Sequence, residues 1–484
     1  MGNQSKAKEK RLPSKIEAFA VLIFVIAGVS LGSKFGVSIG TVLLVCAVLS
    51  IIVGLRCGYT YKELEEAISE KINDIMPVFF ILLAIGMLIG TWMFAGTIPT
   101  AIYYLVKLVD PRMVIVFAFA VCAIVATIIG TSWGTAGTIG VVMIGLAQVL
   151  DVPMPVVAGA VIAGSHYGQL ISPMSDMVAI SSTMAKVDPS EMIKRTLIVV
   201  IPSTIVSLIL YTFIGFTAGG AGGSSEMVDE LLLTISSTFN VNPIVLLPLA
   251  FIMFTSAKKY PSAPSMMLSG FLAIILGVVF NGFSLGDGLT AAFDGFSASM
   301  THIDPATLMP QVASLINRGG MLTMSYVIVL LFCAMMFAGV VSKIGCLEVI
   351  VSTLAKNVNS IGGLTVATII AAFVTAVTTL QAYLAIIVPS ELFEKKYIEN
   401  GYHPVNMVVA AQTIGAIIMV CFPWGDTGLY MAGVTGVPTL SYIPYAFFCW
   451  GTAIIAIVFS FLKIGVKKLD EDVVIEEPKA TEAV

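Results

Sequence analysis

Ser172-Pro173-Met174-Ser175-Asp176-Met177 and Phe422-Pro423-Trp424-Gly425-Asp426-Thr427 are two versions of one polar break. Their prolines and aspartates match at a single offset of 250 residues (423 − 173, 426 − 176). Each break lies inside an apolar stretch, 154–186 or 404–436, that is too long for one simple membrane span of about 20 residues. Proline removes a backbone donor and pushes the residue before it out of the helical region. Each stretch is therefore predicted to be a discontinuous helix, two half-helices flanking an unwound centre. Non-helical backbone at membrane depth is tolerated only inside protein or along a wet cavity. A carboxylate there is costly and marks a functional site. Interrupted segments at matching places in two halves point to a binding site for something that crosses the membrane.

Composition sets the frame. The 484 residues are 58% hydrophobic and 11% charged, with mean hydropathy +0.99, whereas soluble domains carry about 25% charge. The apolar runs are continuous, so the class is an all-α polytopic membrane protein and not a barrel. Seven cysteines without a CxxC pair read as small hydrophobes. Three histidines without HExxH spacing argue against a zinc centre. No cofactor is expected. The expected partners are the lipid bilayer and small solutes, with no nucleic acid.

Ten crossings are read: 16–33, 37–55, 75–95, 154–186, 196–217, 241–257, 264–282, 321–341, 404–436 and 440–462. Segments 113–150 and 361–391 are apolar but interrupted midway, and read as re-entrant hairpins. With both termini in the cytoplasm, all but four of the 25 Lys and Arg fall on the cytoplasmic side. The exceptions are Lys34, Lys107, Arg112 and Arg318. Five crossings per half, an odd number, make the halves two inverted repeats, each with a hairpin and a discontinuous helix. The resulting organisation is 1–15 cytoplasmic N-terminus, 16–217 first repeat, 218–240 extracellular linker, 241–464 second repeat and 465–484 disordered cytoplasmic tail. Segments 60–72 and 97–109 read as interfacial, and 283–305 as an external loop or interfacial helix.

The first hairpin tip, Gly130 to Thr138, offers Thr131, Ser132, Thr135 and Thr138, whose hydroxyls can ligate a hard cation or cap a half-helix. The second tip offers Thr378, Thr379 and Gln381. Ser172 and Ser175 stand beside Asp176, and Thr427 beside Asp426. A Na⁺ site is expected at Asp176, Asp426, Ser132 and Ser175. Either carboxylate can take a proton or a sodium ion, and competition between the two is a physical basis for exchange. His166 is a candidate proton relay, and Trp133 a candidate cavity wall. No Lys or Arg is read within the core.

At Gly130 to Gly140 (GTSWGTAGTIG), Gly164 to Asp176 (GSHYGQLISPMSD) and Phe422 to Gly428, the chain resembles the NhaC family of Na⁺/H⁺ antiporters, over nearly its whole length. The resemblance implies Na⁺/H⁺ exchange, or exchange of malate and protons against lactate and Na⁺. Through the wider ion-transporter superfamily it also implies an elevator motion. A transport domain of hairpins and broken helices would move against a dimerising scaffold of crossings 16–55, 75–95, 241–282 and 321–341. The homodimer comes from this resemblance alone.

The leading expectation is thus a secondary antiporter exchanging Na⁺ for H⁺ across the plasma membrane, and not an enzyme. The alternative is a Na⁺-coupled exchanger of a small carboxylate or amino acid. A remote alternative is an intramembrane aspartyl protease built on the two aspartates. The absence of a Walker A motif removes ATP drive.

Overall fold

The computed structural model describes residues 10–218, 225–304, 308, 310–354 and 359–469. Among these the chain is helical throughout, with isolated bridges at Phe296–Arg318 and Tyr402–Lys468 and no sheet. Among the described residues, nine helices are long and apolar enough to cross a membrane, or up to twelve if each strongly bent pair counts as one span.

The first part runs α1 (Lys15–Lys34), α2 (Ile39–Arg56), α3 (Tyr61–Asp74), α4 (Met76–Phe94) and α5 (Thr97–Leu108). The polar helix α3 begins at a capping box: Thr60 accepts from the Glu63 N–H while Glu63 accepts from the Thr60 N–H. Lys10 bonds the same Glu63, and together these donors hold its carboxyl down at about 2. The expected first hairpin is α6 (Val114–Ile129) followed by α7 (Ser132–Thr135), a π turn (Ala136–Gly140) and α8 (Val141–Val149). The expected discontinuous helix is α9 (Met154–Ile171) plus α10 (Asp176–Ala185), and α11 (Pro189–Ala218) follows.

Two expectations change in the middle of the chain. The crossing read as 196–217 is a 30-residue helix, because Pro189 at its start and Glu191 in the first turn favour a helix well before the apolar run begins. The segment 218–240, read as a linker, holds the amphipathic helix α12 (Ser225–Thr238), whose Leu231 and Ile235 are buried; residues 219–224 lie outside the described residues. A 3₁₀ turn (Pro243–Leu246) and α13 (Leu247–Ala257) come next, bent by 89° from α12.

Then follow α14 (Ser262–Asn281), α15 (Leu285–Phe293), α16 (Pro310–Ile316), α17 (Ser325–Lys343) and α18 (Cys346–Leu354). The second hairpin is α19 (Ile361–Thr379) and α20 (Leu384–Glu399). The second discontinuous helix is α21 (Val405–Gln412), a π turn (Thr413–Ile417), a 3₁₀ turn (Ile418–Cys421) and α22 (Asp426–Thr435), bent by 46° at the break. α23 (Thr439–Tyr442) and α24 (Phe447–Phe461) close the chain. Of the tail, 465–469 is described, and Leu469 N–H bonds Gly401 O; the rest of the expected disordered tail lies outside the described residues, as do 1–9 of the N-terminus.

Packing crosses between the two parts of the chain. α4 lies against α14 and α15, while α17 lies against α2 and α3. Likewise α10 packs on α20 and α21, and α22 packs on the π turn and α8 of the first hairpin. The outer surface is apolar: Ile201, Ile205, Ile209, Phe213 and Phe216 form an exposed stripe along α11, as Leu268, Phe271, Ile275 and Val279 do on α14. Such stripes suit a hydrocarbon solvent.

Candidate functional site

The two breaks share a backbone path. Ser172 (φ −73°, ψ 128°) and Phe422 (φ −90°, ψ 114°) are extended because proline follows each. Ser175 N–H then bonds Ser172 O (3.0 Å), and Gly425 N–H bonds Phe422 O (3.1 Å). Ser175 and Gly425 are the N-caps, both extended, so Asp176 and Asp426 become the first residues of α10 and α22. A carboxylate in the first turn of a helix is favoured by the exposed N–H groups there.

The hairpin tips pack onto the broken helices. α6 ends at Gly130 with φ +84°, and a Cβ there would stand 2.8 Å from the Met174 carbonyl carbon in the first break. Gly168 on α9 lies directly on the Ala126–Thr127 backbone of α6, with no room for a Cβ. In the second part, α19 ends at Leu380 with φ +56°. A Cβ at Gly415 would stand 2.7 Å from Ala382 O of that tip. One further contact joins the first tip to the second broken helix. The Trp133 and Tyr430 rings stack at 4.2 Å, and Tyr430 Oη donates to Trp133 O (2.6 Å).

These elements enclose a cavity of about 470 Å³. Of the residues singled out from sequence, Thr131, Ser132, Trp133, His166, Asp176, Gln381, Asp426 and Thr427 line it. Asp176 is exposed to it and Asp426 half-buried. Asp426 Oδ1 accepts from both the N–H and the hydroxyl of Thr427, the latter at 3.0 Å. Buried His166 bonds Ile162 O through Nδ1 (2.8 Å), so Nδ1 carries a proton and Nε2 is the ring atom left for other work. Two buried oxygens of the lining, Ser132 Oγ and Gln169 Oε1, have no hydrogen-bond partner among the described residues. A buried acceptor left unpaired costs about 1–3 kcal/mol, so such groups point to a ligand or ordered water.

The other sequence candidates lie outside the lining, and their hydroxyls are engaged with backbone. Thr135 donates to Thr131 O, Thr138 to Gly134 O, Thr378 to Val374 O and Thr379 to Thr375 O. Ser172 and Ser175 accept from Met174 N–H and Met177 N–H. These are ordinary uses of Ser and Thr at helix turns and caps. Of the serines singled out from sequence, they leave Ser132, and not Ser175, presented to the cavity. Among the described residues, no group of three or more His, Cys, Asp and Glu is placed to hold a metal ion. A cation here would rely on hydroxyl, amide and carbonyl oxygens beside the carboxylates.

Four polar lining residues escaped the sequence reading: Asp74, Gln169, Ser262 and Tyr383. Asp74, at the end of α3, accepts from Gln381 Nε2 (3.5 Å) and pairs with Lys71 Nζ (3.4 Å). Tyr383 stands within electrostatic reach of both Asp176 and Asp426. Gln169 could have been found, since it sits one turn past Ser165-His166 on the same apolar helix. Asp74 and Ser262 come from other helices and carry no local signal. Away from this cavity, Arg318 Nη2 donates to Thr435 O (3.2 Å) at the end of α22.

Ser132→Ala tests the unpaired hydroxyl. Should that hydroxyl be the cation ligand expected from sequence, its loss, worth about 1–2 kcal/mol, weakens Na⁺ dependence by about 5- to 30-fold, with the melting temperature unchanged. An unaltered Na⁺ dependence would remove Ser132 from the site.

The model of the Na⁺/H⁺ antiporter family matches residues 12–200 and 191–464. An uncharacterized Na⁺/H⁺ antiporter of Haemophilus influenzae is 37% identical, covering 95% of this chain and 98% of that one. The malate-2H⁺/Na⁺-lactate antiporter of Bacillus subtilis is 32% identical over 94% of this chain and 96% of its own. The Na⁺/H⁺ antiporter NhaC of Alkalihalophilus pseudofirmus is 28% identical over 88% and 90%. With a family model spanning nearly all of its length, and polar breaks that meet in one cavity, the chain belongs to the Na⁺/H⁺ antiporter family.

Proposed function

We propose that the protein is a secondary antiporter exchanging Na⁺ for H⁺ across the plasma membrane by alternating access. The observation that carries this reading is the meeting of Asp176 and Asp426 with the unpaired Ser132 Oγ and Gln169 Oε1 in one cavity. Each aspartate takes either a proton or a share of a sodium ion. Binding one expels the other, because two positive charges at one carboxylate repel. A loaded site is near neutral and can cross, whereas an empty pair of carboxylates pays the full cost of dehydrated charge. His166 Nε2 accepts a proton on its way to the carboxylates.

The same proposal takes 16–217 and 241–464 as inverted repeats. The crossed packing of α4 with α14 and of α17 with α2 supports it. The hairpins and broken helices would move as an elevator against those scaffold helices, in a homodimer with cytoplasmic termini. In this orientation the acidic cavity faces the cytoplasm, because Lys71 lies one turn from Asp74, and Lys258 and Lys259 just precede Ser262.

A second reading, exchange of a small organic solute with Na⁺, draws on the cavity volume of about 470 Å³, far more than the roughly 30 Å³ of a water molecule. The malate-2H⁺/Na⁺-lactate antiporter among the relatives is consistent with it. The aspartyl protease reading has no support: among the described residues Asp176 and Asp426 share no hydrogen bond, which a proton-sharing dyad needs.

Proteoliposomes loaded with a pH dye decide between the first two. Proton movement driven by a Na⁺ gradient alone is the expected result. Movement only after malate, lactate or an amino acid is supplied would transfer the reading to solute exchange.

A further inference from the structure

A second cavity, of about 460 Å³, lies on the other side of the α22 break from the acidic one. Asp426 and Thr427 face the acidic cavity, whereas Pro423 and Leu429 face this one. Its remaining walls come from helices anchored elsewhere, through Ile89 of α4 and Tyr326 and Leu330 of α17.

Its one cationic lining residue is Arg318. The backbone around it is pinned: Phe296 and Arg318 exchange two hydrogen bonds of 3.2 Å, and Gly320 N–H bonds Gly86 O (2.7 Å). From this fixed base the guanidinium reaches α22, with Nη2 on Thr435 O (3.2 Å) and Val434 O (3.5 Å). Capping those carbonyls uses one corner of a fork that carries five N–H donors. Among the described residues, Nε and Nη1 have no acceptor, and no carboxylate lies within ion-pair distance of Arg318. A half-buried guanidinium without a counter-charge is a costly arrangement in a protein interior.

Other polar groups in the lining do not compete for this role. The Thr323 and Thr439 hydroxyls are spent on Gly320 O and Gly428 O, the Asn317 amide on the Ala298 N–H and Ala313 O, and the Tyr326 side chain is largely exposed. The rest of the wall is mostly carbon. The cavity thus offers one cationic group with free N–H donors and an apolar body pocket.

We propose that this cavity binds a small organic monocarboxylate. The carboxylate accepts a charge-assisted hydrogen bond from the Arg318 guanidinium, through Nε–H or Nη1–H, which the α22 carbonyls leave free, and its apolar body packs against Ile89, Leu330 and Leu429. A dicarboxylate would place its second charge against carbon, and the lining has no anionic side chain to pair an ammonium group. Inorganic phosphate would leave the apolar wall wet. The occupant would sit between α22 and the helices anchored to α4 and α17, joining them. This inference does not rest on the acidic cavity being the ion site.

The test is equilibrium dialysis of labelled benzoate with the full chain in lipid nanodiscs. Saturable binding is expected, with no competition from succinate or phosphate. Arg318→Gln should weaken it by at least about tenfold, the loss of one charge-assisted hydrogen bond. Ala432→Leu, which fills the cavity without touching Arg318, should weaken it similarly and keeps the test valid if Arg318→Gln does not fold. The double variant Asp176→Asn/Asp426→Asn should bind as the wild type does. Absent saturable binding, equal competition by succinate, retained binding in Ala432→Leu, or loss of binding in the double aspartate variant would each overturn the proposal.

Discussion

Asp176→Asn and Asp426→Asn are each expected to abolish Na⁺-driven proton movement in proteoliposomes while leaving a folded protein. The size of the effect follows from Coulomb's law. At an effective dielectric of about 20, unit charges about 4 Å apart attract by about 4 kcal/mol, roughly a thousandfold in cation affinity. Asn also cannot carry the exchanged proton, so the second half of the cycle is lost with the first. The cost to stability is small. Each residue opens a half-helix, where a carboxylate contributes about 0.3–1 kcal/mol. At position 426 an Asn oxygen can still accept the Thr427 N–H and hydroxyl that now meet Asp426 Oδ1. Melting curves separate the two effects. Full exchange by both single variants, with unchanged Na⁺ dependence, would sink the site.

Gly130→Ala is the second large effect, and it acts through shape. The residue has φ +84°, and its added Cβ would stand 2.8 Å from the Met174 carbonyl carbon. An L-residue in that region costs about 1–2 kcal/mol, and an overpacked contact against backbone adds about 1–3 kcal/mol. The hairpin tip must then lift off the first break, which displaces Thr131 and Ser132 together. Gly401→Ala is the matched control: φ is +76°, but nothing lies within 4 Å of the added Cβ. The expected outcome is a clear drop in melting temperature and in exchange for Gly130→Ala, and a small drop in melting temperature alone for Gly401→Ala. Equal behaviour of the two would show that the tip does not need its contact with Met174.

Much of the architecture was legible because membranes punish irregular backbone. Proline with a following carboxylate in the middle of an apolar run has few explanations, so both broken helices and both aspartates could be read directly. The turns at Gly130 and Leu380 announced themselves as polar tips. The hydroxyl ligands were harder, because a threonine in a helix returns its hydroxyl to the carbonyl one turn back unless something competes. Thr135, Thr138, Thr378 and Thr379 all do so. Sequence cannot tell these from Ser132, whose hydroxyl is left unpaired. Asp74 and Arg318 were out of reach for a different reason: they arrive at the core from distant loops and helix ends, and only tertiary packing shows what they touch.

The crossed packing has a consequence for how the protein is made. α4 is synthesised long before α14 and α15, and α2 and α3 long before α17, yet these are the partners that cover them. The nascent first half therefore leaves the ribosome with faces whose mates do not yet exist. It must sit in the bilayer with small residues such as Gly86 and Gly90, which end up against the Gly319–Gly320 and Ala291 backbone, turned toward lipid or a chaperone. Maturation is then a late interlocking of two inserted halves, and its timing is set by translation of the second.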